Sequence, residues 1–176
     1  GSGESIFQAL MAWFSHPELK WYRAEIDTAA HGTGVDALLI AGVVLAESGG
    51  LTHAYRYEPL FWKRYKLAQQ PFYSEQNPRR WSASYGLMQV LATTARELGH
   101  TGLPEDLFQP ACGLRFGCLN LKRCLEWAKT FSAPDKDTLI AALAAYNGGR
   151  NSAQAPPSPK NAPYALRVLA HLQGLD

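Results

Sequence analysis

Glu47 is an acid at a position where the surrounding pattern calls for an apolar residue. It follows Val43 by four positions and Leu39 by eight, on the stripe that a helix turns toward the core. Two effects there disfavour its charge, the negative end of the macrodipole in the last helical turn and partial burial, and both raise its pKa. A carboxyl group that stays protonated near neutral pH can give a proton to a poor leaving group, so glycosidic bond cleavage is the chemistry this placement suits. The plainer alternative is a helix-end glutamate that turns out to solvent. A second constellation is Ser84-Tyr85-Gly86-Leu87-Met88-Gln89, where a glycine permits close backbone approach to a ligand and an amide can bond sugar substituents. The third is Ala144-Ala145-Tyr146-Asn147-Gly148-Gly149, closing an apolar helix, where a phenol can hold a carboxyl in place. Asn147 and the glycines equally suit a simple helix stop.

Other chemistries find less support. Cys112, Cys118 and Cys124 are six residues apart in turn, a rise of about 9 Å within one helix, too far for a disulfide. They read as core thiols, protonated and inert, which weakens a Cys-His-Asn hydrolase built from one of them with a histidine and Asn147. His16, His31, His53, His100 and His171 are scattered singly, so neither a metal nor a cofactor is expected. The formal charge of +2 is spread without a dense basic run, Lys63-Arg64 and Arg79-Arg80 being only pairs, and nucleic acid is not an expected partner. The longest apolar stretch, Val35 to Ala46, falls short of the ~20 residues that cross a bilayer.

The elements that position these groups read as helices. Ile6, Leu10, Met11 and Phe14 recur at helical spacing, and a second helical stretch runs from about Glu18 to His31, closed by Gly32 and Gly34. Thr33 and Asp36 stand at the start of a central buried helix that Gly49-Gly50 terminates. Between Leu51 and Ser84 the pattern is irregular and aromatic, with a short helix over about Pro59 to Leu67. Further helices are expected over Thr93–Leu98, Pro110–Phe131, Asp137–Tyr146 and Asn161–Leu172. The chain of 176 residues, 47% apolar, is long enough for one core. The expected class is predominantly α, with a small hairpin or irregular lobe, as one domain over 4–176 and a monomer. Gly1-Ser2-Gly3 reads as a cloning remnant, and no signal peptide is visible.

Taken in order, the three constellations resemble the catalytic domain of soluble lytic transglycosylases, the group related to goose-type lysozymes. The family pattern of Glu-Ser, Gly-Leu-Met-Gln and Ala-Tyr-Asn-x-Gly is matched by Glu47-Ser48, Gly86-Leu87-Met88-Gln89 and Ala145-Tyr146-Asn147-Gly148-Gly149. Thr94-Ala95, Leu98-Gly99, Leu107-Phe108 with Pro110, and Gly117 fall where the family has similar residues, so that the resemblance covers about Val35 to Val168.

The resemblance implies an α+β lysozyme-like fold with a cleft for the peptidoglycan glycan strand, acting at the bacterial cell wall, in the periplasm or outside the cell. It implies that Glu47 protonates the glycosidic oxygen and then takes the proton of the muramyl C6 hydroxyl, leaving a 1,6-anhydro sugar. Tyr146 would orient Glu47, Met88 and Gln89 would line the cleft, and Ser48 would support the acid's loop. Ser84, Gly86, Leu87 and Asn147 complete the expected substrate contacts. Two features depart from the family pattern. Asn161-Ala162-Pro163-Tyr164 replaces the usual threonine-glutamate neighbourhood, with Tyr164 as the contact on that side, and the stretch between Glu47 and Gly86 is longer than in compact members. That stretch holds Arg56-Tyr57-Glu58-Pro59, which resembles a short motif of some muramidase-like domains. Glu58 as a second carboxylate would make the enzyme a hydrolytic muramidase. A non-enzymatic alternative is a sugar-binding module in which Trp62, Trp81 and Tyr85 stack on pyranose faces.

Overall fold

The structure, a computed structural model, describes residues 16–130, 136–153 and 161–175. The helix expected around Ile6 to Phe14, and the end of another at Phe131, lie outside those residues. A 3-10 turn at Lys20–Tyr22 leads into α1, Arg23–Thr33. Asp36 caps α2, Ala37–Ser48, by accepting the Leu38 N–H at 2.8 Å. Thr33 does not share in that cap, because its hydroxyl donates back to the Ala29 carbonyl at 2.7 Å. Residues Leu39 to Val44 are all buried, so α2 is enclosed on every side rather than along one stripe. Gly49, at φ 60, ends it in the left-handed region, its N–H reaching the carbonyls of Val44 and Leu45.

The aromatic segment folds as a lobe beside the end of α2. It contains β1 (Tyr55–Tyr57), α3 (Pro59–Arg64), α4 (Pro78–Trp81), β2 (Ala83–Tyr85) and β3 (Val90–Leu91). The strands form one antiparallel sheet in the order β1-β2-β3, with Tyr57 opposite Ala83 and Tyr85 opposite Val90. The expected hairpin is thus a three-stranded sheet whose strands are too short to show alternation. Trp62, Phe72, Tyr73 and Trp81 make the lobe's interior, and the Arg96 guanidinium lies 3.6 Å from the Phe72 ring centre. These aromatics hold the lobe together, and with Trp81 and Tyr85 buried and Trp62 packed against the core they do not offer free stacking faces.

Beyond the lobe come α5 (Ala92–Glu97), α6 (Pro110–Ala128), α7 (Lys136–Gly148), α8 (Arg150–Ala153) and α9 (Ala162–Leu175). The architecture is predominantly α with one small antiparallel sheet, as expected. The core joins α1, α2, α6, α7 and α9 through Ile26, Ile40, Leu114, Leu121, Leu143 and Val168. The packing of α9 on α2 is close enough that a methyl group on Gly42 would meet Leu172 at 3.2 Å. Among the described residues no helix is long and apolar enough to cross a membrane.

Candidate active site

The end of α2, the sheet and the end of α7 enclose a cleft of about 780 Å³, with Glu47 in its wall beside Glu58, Ser84, Gln89, Tyr146 and Asn147. Glu47 is half-buried, and its carboxyl is raised from 4.5 to about 7. Desolvation is the main cause. It is opposed by a hydrogen bond from Tyr164 and by the charges of Arg56 and Arg167, and reinforced weakly by Glu58. The Tyr164 hydroxyl donates to Glu47 Oε2 at 3.3 Å, and burial together with the glutamate's charge holds that phenol protonated far above its usual range.

The three sequence constellations meet at the turn Gly86 to Gln89. The Ser48 hydroxyl donates to the Leu87 carbonyl at 2.7 Å, and the Tyr146 hydroxyl donates to the Met88 carbonyl at 2.6 Å. Gln89 sits at φ 49, and its side-chain amide donates to the carbonyls of Ala54 and Gly86. The turn requires glycine at its start: Gly86 has φ 79, and a Cβ there would collide with the Leu107 carbonyl. Met88 is fully buried, with its side chain lying where a Cβ on Gly117 would stand and its sulfur 3.8 Å from that of Cys118. These contacts account for Gly117 and for the Leu107 neighbourhood in mechanical terms.

Several expectations are redirected by this geometry. Tyr146 anchors the Met88 carbonyl, whereas Tyr164 is the tyrosine whose hydroxyl reaches Glu47. Tyr146 still lies near enough for the Glu47 charge to add to the burial that raises its phenol. Gly86, Leu87 and Met88 do not line the cleft, because their side of the turn faces the core, and the glycine's close approach is to protein backbone and not to an open site. Ser48 is tied on both sides, donating within reach of Val44 and Leu87 carbonyls and accepting the Gly50 N–H, so it braces the helix end. Tyr164 is buried behind Glu47 and is not part of the cleft lining. Ser84, Gln89, Asn147 and Glu58 do line it.

Glu58 is held by its backbone at the edge of the sheet, its N–H reaching the Ser82 carbonyl at 2.7 Å, and its carboxylate pairs with Arg56 at 3.2 Å. Sequence reasoning missed the wall that α3 builds: Leu60, Phe61, Arg64 and Tyr65 all face the cleft. It also missed the charges of Arg56 and Arg167 on Glu47. Exposure of apolar residues cannot be read from composition, although Arg56 stood inside a flagged motif. The cysteines are free, and burial raises Cys118 to about 12 and Cys124 to about 11, so neither supplies a thiolate. Among the described residues no group of three histidine, cysteine or acidic side chains is placed to hold a metal ion.

No curated protein sequence matches the chain. Residues 25–163 match the family model described as the transglycosylase SLT domain, a span that contains Glu47, the sheet, the Gly86 turn and Tyr146. The chain therefore belongs to the transglycosylase SLT domain family of the lysozyme-like superfamily, and its function is at family level of the lytic transglycosylase type that acts on peptidoglycan.

Proposed function

We propose that this chain is a peptidoglycan lytic transglycosylase that cleaves the β-1,4 bond between N-acetylmuramic acid and N-acetylglucosamine, with Glu47 as its acid and base. The observation that carries the reading is a half-buried carboxyl in the cleft wall whose pKa stands at about 7. Such a group is populated in both forms near neutral pH, as one residue must be if it is to give a proton and then take one. Glu47 protonates the glycosidic oxygen as the bond to C1 breaks. Its carboxylate then accepts the proton of the muramyl C6 hydroxyl while O6 closes on C1, so the products are a free glucosamine hydroxyl and a 1,6-anhydromuramyl end, with no water consumed. Tyr164 is a positioning residue, fixing one carboxyl oxygen and leaving the other toward the cleft. Ser84, Gln89 and Asn147 offer hydroxyl and amide groups to the sugars. The protein works as a monomer at the cell wall, without metal or cofactor.

One observation favours the hydrolytic alternative: Glu58 lines the same cleft, and its charge acts on Glu47. Against it, the Glu58 carboxylate is paired with Arg56. Mass spectrometry of the muropeptides released from purified sacculi decides between them. Anhydromuramyl ends as the main product, with only a modest loss in Glu58→Gln, support the transglycosylase. Reducing muramyl ends, lost together with activity in Glu58→Gln, make the enzyme a muramidase that keeps Glu47 as its acid.

A further inference from the structure

α3 turns an unusual face to the cleft. Leu60, Phe61, Arg64 and Tyr65 fall at helical spacings of one and four, which sets them on one side, and all line the cavity that contains Glu47. Packing accounts for Phe61, which lies against the core, but not for its neighbours, because Leu60 is 76% exposed and Tyr65 52% exposed. The Phe61 and Tyr65 rings lie 4.6 Å apart at 44°, and Leu60 lines the same cleft beside Phe61 in the chain. Arg64 is exposed at its edge. Arg56, Arg80 and Arg123 hold Glu58, Glu105 and Glu97, whereas Arg64 has no carboxylate partner among the described residues. The charges acting on Glu47 are those of Arg56, Arg167 and Glu58, so Arg64 takes no part in tuning the acid.

We infer that this face of α3 with Tyr65 is a subsite for a muramyl unit of the strand, in which Leu60, Phe61 and Tyr65 receive the apolar face of the pyranose and Arg64 binds a carboxylate. The inference rests on the proposed function and deepens it by naming what the wall selects. N-acetylglucosamine is neutral and gives a guanidinium nothing to pair with. A muramyl unit carries a lactyl group that is itself a carboxylate, or that bears a peptide with carboxylates of its own. An apolar platform bordered by one free cation therefore fits the muramyl residue better than its neighbour. The subsite continues the cleft of Glu47, so the strand that reaches the acid also runs along α3.

The test uses the full chain, with Arg64→Gln, Arg64→Lys and Tyr65→Ala, and with Lys122→Gln, an exposed site on α6 outside the cleft, as a control for lost charge. Rates are measured on strands that keep their peptides and on strands stripped by an amidase to free lactyl carboxylates. Arg64→Gln is expected to raise KM about tenfold with kcat and the pH midpoint unchanged, Arg64→Lys to recover part of the loss, and Tyr65→Ala to raise KM on both strands. A KM effect of Arg64→Gln confined to stripped strands assigns the free lactyl carboxylate, one confined to peptide-bearing strands assigns a peptide carboxylate, and one on both shows that the guanidinium pairs with whichever carboxylate the muramyl unit presents. KM in Arg64→Gln no different from Lys122→Gln on either strand overturns the subsite, as does a loss of kcat with a moved pH midpoint. Failure of the proposed function looks different, since the parent itself would then release no strand fragments, or would release them equally after Glu47→Gln.

Discussion

Replacing Glu47 by glutamine separates catalysis from stability, because the site that makes this acid useful also disfavours its charge in the folded chain. Burial raises the carboxyl from 4.5 to about 7. The unfolded chain therefore loses this proton through the window between those values while the folded chain retains it. The group's contribution to stability is fully present below 4.5 and is lost as pH rises through about 7, and the displacement corresponds to about 3 kcal/mol at pH 8. For a chain of this length each kcal/mol moves Tm by about 2–4 °C. Glutamine is neutral throughout and can still accept the Tyr164 hydroxyl. Glu47→Gln is thus expected to melt about 6–12 °C above the parent at pH 8 and within about 2 °C of it at pH 4. Clearing of purified peptidoglycan falls about 100- to 10,000-fold. Melting followed by circular dichroism at the two pH values, with turbidity assays on the same preparations, measures both effects. An offset that is the same at pH 4 and pH 8 would refute the buried-acid argument, and parental clearing by the variant would remove Glu47 from the mechanism.

Tyr164→Phe removes a hydrogen bond that lowers the Glu47 pKa, so the alkaline limb of the rate profile should move to higher pH, and a downward movement contradicts the assignment. Tyr146→Phe leaves the Met88 carbonyl without its donor, and is expected to cost about 1–2 kcal/mol of stability together with a loss of rate. Denaturant melts that show no change would leave that bond without consequence. Gly117→Ala drives a methyl group into the Met88 side chain and should destabilise by about 1–3 kcal/mol, with slower clearing because the same turn carries Gln89; parental values of both would show that the turn has room to give.

Local chemistry was legible in the sequence where a single residue decides the backbone. Asp36 starts α2 and Gly49 ends it through contacts within five positions, and the spacing of Leu39, Val43 and Glu47 places the acid near the core. What the sequence withholds is the direction of hydroxyls across long separations. Tyr164 reaches Glu47 over 117 positions and Tyr146 reaches Met88 over 58, whereas the sequence pointed to Tyr146 for orienting the acid and to Tyr164 for a substrate contact. Aromatic composition was silent in the same way, since Trp81 and Tyr85 are buried while Leu60 and Tyr65 face the cleft. The structure also changes what the recognisable motifs mean. Ser48 and Tyr146, from the first and third, donate to the carbonyls of Leu87 and Met88, which are consecutive in the second. Ser48 and the Gly86–Met88 part of the turn thus serve as bracing, while Glu47, Gln89 and the stretch 145–149 line the cleft, with Tyr146 doing both. A displacement of the Gly86 turn therefore moves an acid, an amide and a helix end together, which is why substitutions that disturb it, at Gly117 or Tyr146, are expected to be read in the rate as well as in the melting temperature.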